Sequence, residues 1–398
     1  MTGGTASRGT RTRRAVVAGA GIAGLAAALR LRQAGWEVLV VERAPARRSS
    51  GYLVNLLGHG YDAAERLGVL PALAPLDIGS FTSTLVRSDG RPKVTVPDEL
   101  ARAALGDRAV TVFRGDLESA LYEAVCDSVT IRFGTTVRAV TQDHEVVQVA
   151  LSDGRSEDAD LLVGADGLHS GVRRIVFGSE SDFRVDLRHL VGAFPLDRAP
   201  RDVPEGTGAT FIGPGRTAAV INPGPGRSAA FFTYRDADPA AELARGPVRA
   251  LTTAFGDLGG GVPGALDQLE ADPTGAYFDS ASQVMLDTWS HGRVVLLGDA
   301  AWCVTLFAGY GAALALTGAD RLGTALAEHG SDVPAALARW EVLLRPEVRK
   351  RQALARKGTS RFAPPSRAHV WAHDLMIRAI RLPGIRGLFR RSVQRAKT

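Results

Sequence analysis

One segment constrains this chain more than any other. Ala15-Val16-Val17-Ala18 is a short apolar run with β-branched members, suited to a buried parallel strand. Gly19-Ala20-Gly21-Ile22-Ala23-Gly24 follows at once. Leu25 to Ala34 is rich in Ala and Leu and predicts a helix, which Gly35 stops. Glu37 to Val41 predicts a second strand, with Glu42 at its tip. Each part suits a dinucleotide. Gly19 permits a tight turn, Gly21 lets a pyrophosphate approach the backbone, and Gly24 lets helix and strand pack closely. The helix N-terminus offers free N–H groups and the positive end of its dipole to phosphates. A carboxylate at Glu42 can accept both ribose hydroxyls, which favours FAD or NAD over NADP. A glycine-rich turn alone is a weak signal. Strand, glycines, helix, stop, strand and acid in order are a strong one.

Composition narrows the alternatives. The chain has 398 residues, 45% hydrophobic and 23% charged, enough for a globular core and two or three domains. The net charge of +6 is unevenly placed. Residues 1–14 hold four Arg and no acid; residues 349–398 hold fourteen Lys or Arg and one acid, Asp374. The body between them has 30 basic and 41 acidic residues. Basicity confined to the two ends argues against a nucleic-acid binder. Two cysteines, Cys126 and Cys303, make no disulfide framework, and the eight His show no metal-ligand spacing, so no metal site is expected. Arg13-Arg14 before an apolar run imitates a signal peptide, but Gly19, Gly21 and Gly24 punctuate that run. With no apolar stretch long enough to span a membrane, a cytoplasmic location is expected.

Three later segments extend the pattern. Val110 to Arg114 reads as a strand end leading to a helix over Leu117–Val125. Leu161 to Arg173 reads as a strand, a turn at Asp166-Gly167 and a helix start. Arg293 to Ala301 is a strand ending in Gly298-Asp299, and the Ala-rich segment after Gly311 predicts a helix to about Ala327. With the first unit, this set resembles the class A flavoprotein monooxygenases, the family of p-hydroxybenzoate hydroxylase and the tetracycline-inactivating monooxygenases. Asp166, Gly167, Ser170, Val172 and Arg173 match its DGxxSxVR motif, and Gly298-Asp299-Ala300-Ala301 its Gly-Asp motif. The resemblance spans roughly residues 14–350.

The resemblance implies an α/β fold: a Rossmann-like FAD-binding domain, an inserted antiparallel-sheet substrate domain and C-terminal helices. It implies FAD as cofactor, NAD(P)H as transient reductant and O₂ as co-substrate. Gly19, Gly21 and Gly24 would hold the pyrophosphate, Glu42 the adenosine ribose, and Arg43 would flank the adenine. Arg114 would reach the ribityl–pyrophosphate region, and Asp299 the ribityl or phosphate part. Gly309, Gly311 and Ala312 would present backbone to the isoalloxazine, and Asp166 would meet FAD and the nicotinamide nucleotide. The competing reading makes Asp166 and Asp299 strand-end turn residues and Arg114 an ion-pair partner. No protein acid or base emerges. The implied activity is hydroxylation or epoxidation through a flavin C4a-hydroperoxide. The substrate would be an organic, polycyclic or polyketide-like natural product.

The sequence departs from the family at three places. Trp302 stands at the usual His, Leu306 at the usual Pro and Ala313 at the usual Asn. Leu306 removes a restraint on φ beside the flavin. These departures motivate an alternative, an FAD enzyme without net redox chemistry such as a cyclase. The absence of a WxWxIP motif argues against a flavin halogenase.

The expected FAD-binding domain is discontinuous, over 14–80, 105–180 and 281–330. A substrate domain is expected over 81–104 and 181–280, with strands near 207–212, 216–222 and 227–234 parted by Gly/Pro turns. Phe194, Phe211, Phe232 and Tyr234 are candidates for an apolar pocket, with ordinary sheet core as the competing reading. Asn55, in a loop after the first unit, and Trp302 and Leu306 are further candidate substrate contacts. Residues 1–13 are expected to be a disordered basic leader. Residues 331–398 are expected to be helical, docking Arg-rich helices on the acidic body, with membrane-surface binding as the alternative.

Overall fold

The computed structural model describes residues 11–47, 52–96, 98, 102, 106 and 108–380. The strands in chain order are β1 (Arg14–Ala18), β2 (Glu37–Glu42), β3 (Leu53–Leu57), β4 (Thr82–Val86), β5 (Pro92–Val96), β6 (Ala109–Phe113), β7 (Thr130–Phe133), β8 (Val137–Gln142), β9 (Val147–Leu151), β10 (Ser156–Ala159), β11 (Leu161–Gly164), β12 (Arg184–Leu196), β13 (Thr207–Gly213), β14 (Arg216–Asn222), β15 (Ser228–Arg235), β16 (Tyr277–Val284), β17 (Ser290–His291) and β18 (Val294–Leu296). The helices that matter below are α1 (Ile22–Gln33), α2 (His59–Arg66), α3 (Arg114–Glu123), α4 (Gly171–Val176), α5 (Pro239–Arg245), α6 (Pro247–Phe255), α7 (Val262–Ala271), α8 (Gly311–Glu328), α9 (Val333–Phe362) and α10 (Arg367–Ile380).

Two sheets organise the molecule. The first runs β17-β18-β11-β1-β2-β7, parallel except at the β17 edge. Its inner strands are apolar on both faces because helices cover both, the usual consequence of crossover connections. The second runs β16-β12-β15-β14-β13-β4-β5 and is antiparallel except where β13 meets β4. The residues between β3 and β6 therefore reach into the second sheet, as the excursion near 82–96 predicted.

The second sheet has a closed back and a front facing the first layer. On the back, Phe194, Phe232 and Tyr234 pack under α6 and α7 against Leu251, Phe255 and Leu266. Gly192 sits where a Cβ would lie 2.5 Å from Leu251, so this glycine sets how closely the helix lies on the sheet. On the front, Val191 and Ala281 pack on Phe307, with Phe231, Tyr277, Leu306 and Phe362 around them.

The long helix α9 joins the layers. Trp340 on α9 closes a cluster with Trp289 and Trp302, with ring centroids 4.7–5.8 Å apart. Farther along, buried Gln352 donates to the Val284 and Trp302 carbonyls at 2.8 and 3.2 Å. At its end, Phe362 stacks on Phe307 at 4.9 Å. The chain then turns, and α10 lies against β13 with Asp374 paired to Lys93 of β5.

Three expectations change. The helix predicted at Leu117–Val125 starts three residues earlier, at Arg114, because the Asp116 carboxylate accepts the Phe113 N–H. The loop expected around Asn55 is β3, paired to β6. The leader is anchored where it can be described: Arg11 pairs with Asp160 at 2.6 Å, and Arg13 lies 4.5 Å over the Trp36 ring and donates to the Gly330 carbonyl. Residues 1–10 and 381–398 lie outside the described residues.

Candidate active site

The candidate cofactor cradle is built from strand ends and helix starts. At the end of β1, Gly19 has φ +105° and donates its N–H to the Val41 carbonyl. A Cβ on Gly19 would lie 2.5 Å from the Ala165 carbonyl oxygen, and one on Gly24 only 1.8 Å from the Gly19 carbonyl oxygen. These two glycines are close-packing positions. Gly21 differs: a Cβ there would meet nothing nearer than Glu118 Oε1 at 3.7 Å and Arg114 Nη2 at 3.8 Å. Gly21 is thus the open floor of the turn. The α1 N-terminus has no side-chain cap and no acid in its first turn. Its N–H groups are available to a phosphate.

The ends of the cradle carry charge. Glu42 accepts the Ala20 N–H through one carboxylate oxygen and the Ala44 N–H through the other, each at 2.7 Å. The carboxylate is thereby fixed at the tip of β2, with lone pairs left for hydroxyl donors. Arg43 is exposed beside it. At α3, Arg114 pairs with Glu118 at 2.6 Å and lies 5.8 Å over the Tyr52 ring. Asp299, just after β18, is exposed, yet protein crowds around it. That desolvation raises its pKa, and the Arg114 charge opposes the rise. Tyr52 meets Tyr277 of β16 at 5.7 Å, so an aromatic pair links the two layers. Burial pushes the Tyr52 hydroxyl up to about 12, so it is a neutral donor at ordinary pH.

The far end is a glycine loop. Gly309 has φ +62°, and a Cβ on either Gly309 or Gly311 would have no atom within 4 Å. The α8 N-terminus is also uncapped and free of acids, with Ala312 half-buried in its first turn. Before this loop, Thr305 has φ +76°, rare for a β-branched residue. Its hydroxyl accepts the Phe307 N–H at 3.0 Å and holds the turn.

Several candidate residues have other tasks. Asp166 accepts the Gly171 and Val172 N–H groups at 2.7 and 3.0 Å and the Ser170 hydroxyl; it caps α4. Arg173, buried, donates to the Ala300 carbonyl at 2.9 Å and the Leu168 carbonyl at 2.6 Å. It clamps the loop after β11 to the short helix Asp299–Trp302 after β18. Trp302 is buried in its tryptophan cluster. Ala313 packs on Gly60 of α2, where a Cβ would come within 2.3 Å of it. A larger residue at 313 would push the helices apart. Asn55 accepts the Thr111 hydroxyl at 2.8 Å across β3 and β6.

The aromatic candidates on β15 sit on the back of the sheet, under the helices. Phe232 is fully buried against Phe194 and Phe255, and the Tyr234 hydroxyl donates to Glu242 at 2.6 Å. Phe211 packs toward the same back core, with Arg216 over its ring. Strand alternation instead places Phe231, one residue earlier, on the front with Tyr277 and Leu306. Alternation predicts which residues share a face; it does not say which face is which. No motif singles out Tyr52, Phe231, Tyr277 or Phe307, and only strand parity points to Phe231.

The cradle fits FAD on its own geometry. It pairs an open glycine floor at an uncapped helix start with a fixed carboxylate at a strand tip, and adds a second clear glycine loop at another helix start. The comparisons agree. Residues 12–180 and 265–339 match the FAD binding domain family. The chain is 30% identical to the FAD-dependent monooxygenase asL4 of Sarocladium schorii, over 79% of this chain and 75% of that protein. Its fold is similar to that of the tetracycline destructase Tet(51), with a TM-score of 0.75, 28% identity, and 86% and 89% of the two chains covered. It is also similar to Klebsiella pneumoniae HpxO complexed with FAD and uric acid, with a TM-score of 0.76, 25% identity, and 92% and 93% covered. The chain belongs to the class A flavoprotein monooxygenases, FAD enzymes that draw electrons from NAD(P)H and oxygen from O₂.

Proposed function

We propose that this monooxygenase hydroxylates or epoxidises an aromatic or polycyclic natural product, held between the front of the seven-stranded sheet and the flavin cradle. The supporting observation is the front face itself, where Phe231, Tyr277, Leu306 and Phe362 surround Val191 and Phe307. A flat apolar substrate fits such a wall, and Tyr52 and Tyr277 add two hydroxyls at its edge. Relatives named as tetracycline destructases and an HpxO complex with uric acid act on or bind ring compounds, which is consistent with this reading.

In this reading Gly19, Gly21 and Gly24 hold the pyrophosphate of FAD, Glu42 its ribose, Arg114 and Asp299 its middle, and Gly309, Gly311 and Ala312 its ring. Bound FAD supplies the oxygen chemistry. The chain's residues bind and orient. The two uncapped helix starts carry partial positive charge toward phosphate and toward an electron-rich ring. The apolar front excludes water from the reacting face. Leu306 alone among the three departures from the family lies on this front; Trp302 and Ala313 are packing residues. Loss of the usual residues at 302 and 313 is therefore no argument against oxygen transfer.

The test is a screen of ring compounds for substrate-dependent NAD(P)H oxidation, with ¹⁸O₂ to label the product. One label per turnover in the product is the expected result. A yellow protein whose flavin is not bleached by NADH or NADPH with any substrate present would favour the cyclase instead.

A further inference from the structure

The helix α10 has one face against the substrate sheet and one uncovered. Val370, His373, Asp374 and Ile377 lie at least partly buried on the side toward the substrate sheet, where Asp374 pairs with Lys93. On the opposite side, Trp371, Leu375 and Met376 are 67%, 52% and 49% exposed. Ala368 and Ala372 are exposed beside them. At 3.6 residues per turn these five positions form one stripe along the helix. Single exposed apolar residues are ordinary, but a continuous stripe with a tryptophan is not. The other four tryptophans, Trp36, Trp289, Trp302 and Trp340, are at most 2% exposed.

The charge around the stripe has one sign. Arg367 and Arg378 are exposed at the two ends of the helix. The helix's only acid, Asp374, is turned inward and answered by Lys93. The sequence from 378 to 398 holds six Arg and one Lys and no acid. An apolar stripe with a tryptophan, flanked by arginine and free of acid, has the chemistry of a helix that lies in a lipid interface.

We propose that the outer face of α10 docks on an anionic lipid surface. Trp371, Leu375 and Met376 enter the boundary between headgroups and acyl chains, and Arg367 and Arg378 meet lipid phosphates. A second copy of the chain is the poorer partner, because pairing two such stripes brings like charges together with no acid to answer them. Docking leaves the fold intact, since the inner face already has its own contacts. It also brings the substrate sheet to the membrane surface. No helix among the described residues is long and apolar enough to cross a membrane, so the association is peripheral.

Trp371 makes the test direct, because it is the one exposed tryptophan of five. The full-length, FAD-loaded protein is mixed with phosphatidylcholine vesicles with or without phosphatidylglycerol. With phosphatidylglycerol, the protein should sediment with the vesicles, its tryptophan emission should shift to the blue, and acrylamide quenching should fall. Pure phosphatidylcholine or high salt should weaken all three. Leu375→Glu should abolish binding, and Arg367→Gln with Arg378→Gln should weaken partitioning by roughly tenfold or more. Trp371→Phe should retain sedimentation but lose the spectral change. An unchanged flavin spectrum and NAD(P)H oxidation in Leu375→Glu would show that the fold survives. The proposal is overturned if anionic vesicles cause neither sedimentation nor shift. It is also overturned if Trp371 is already shielded without vesicles, whether by self-association that depends on protein concentration or by the chain's own residues.

Discussion

At the scale of single residues, similar motif positions carry different physics. Asp299 and Asp166 both follow a strand, yet only Asp299 is exposed. Asp166 commits its oxygens to the α4 N-terminus. Asp299→Ala should therefore weaken FAD binding by about 10- to 100-fold, the loss of a charged hydrogen bond, read as the Kd from flavin fluorescence. Asp166→Ala should instead lower stability through a lost cap. A second residue gives a pH signature. His169 lies between Asp279, 3.1 Å away, and Glu180, 2.9 Å away, and its pKa is raised chiefly by the Asp279 bond. Its stabilisation is fully present below the ordinary histidine pKa and is lost as pH rises through the raised folded value. Urea midpoints between pH 5 and pH 9 should fall through that window, and His169→Gln should remove that part of the fall. Buried His189 and half-buried His373 have pKa values lowered by desolvation, so they act oppositely, costing stability as pH drops through the unfolded value. An unchanged slope in His169→Gln would rule out the His169 contribution.

At the scale of elements, the sheet face decides what a strand residue does. Phe231 and Phe232 are neighbours in sequence with opposite fates. Phe232→Ala empties the back core and should cost about 3–5 kcal/mol, seen in the urea midpoint. Phe231→Ala should cost less in stability and act mainly on substrate KM. If both variants show the same stability loss and an unchanged KM, the front face is not the substrate wall. The strands and helices themselves are largely legible in the sequence, because apolar runs, Gly stops and Gly/Pro turns act locally. The parallel β1-α1-β2 unit follows from its glycines: Gly24 must be glycine where a Cβ would lie 1.8 Å from a carbonyl oxygen. The start of α3 is not legible, because its determinant, Asp116 accepting the Phe113 N–H, is a cap within an otherwise featureless stretch.

At the scale of the whole molecule, α9 and the turn after it hold the layers together. Phe362 stacks on Phe307 beside the glycine loop, and the Gly215 N–H donates to the Pro364 carbonyl at 2.7 Å. A double-mutant cycle of Phe307→Leu and Phe362→Leu should give a coupling of about 1 kcal/mol in unfolding free energy. Additive losses would mean that the rings are not coupled. The expected docking of Arg-rich helices on an acidic body rests largely on residues 381–398, outside the described residues. At α10 the helix contributes the acid, Asp374, and the body contributes the base, Lys93. The helix's arginines face outward, which is what leaves the lipid-binding chemistry unused by the fold.

The sequence by itself determined the nucleotide-binding unit, the order of motifs and the existence of a second, antiparallel sheet. Those features depend on a positive-φ turn at Gly19, a close helix–strand approach at Gly24 and periodicity, all of which act over a few residues. Tertiary structure alone decided that Trp302 belongs to a cluster with Trp289 and Trp340, that Arg173 ties the loop after β11 to the helical turn after β18, and that Phe231 rather than Phe232 lies on the front of the second sheet. Each of these depends on partners far apart in the chain, and packing is a property of what meets in space.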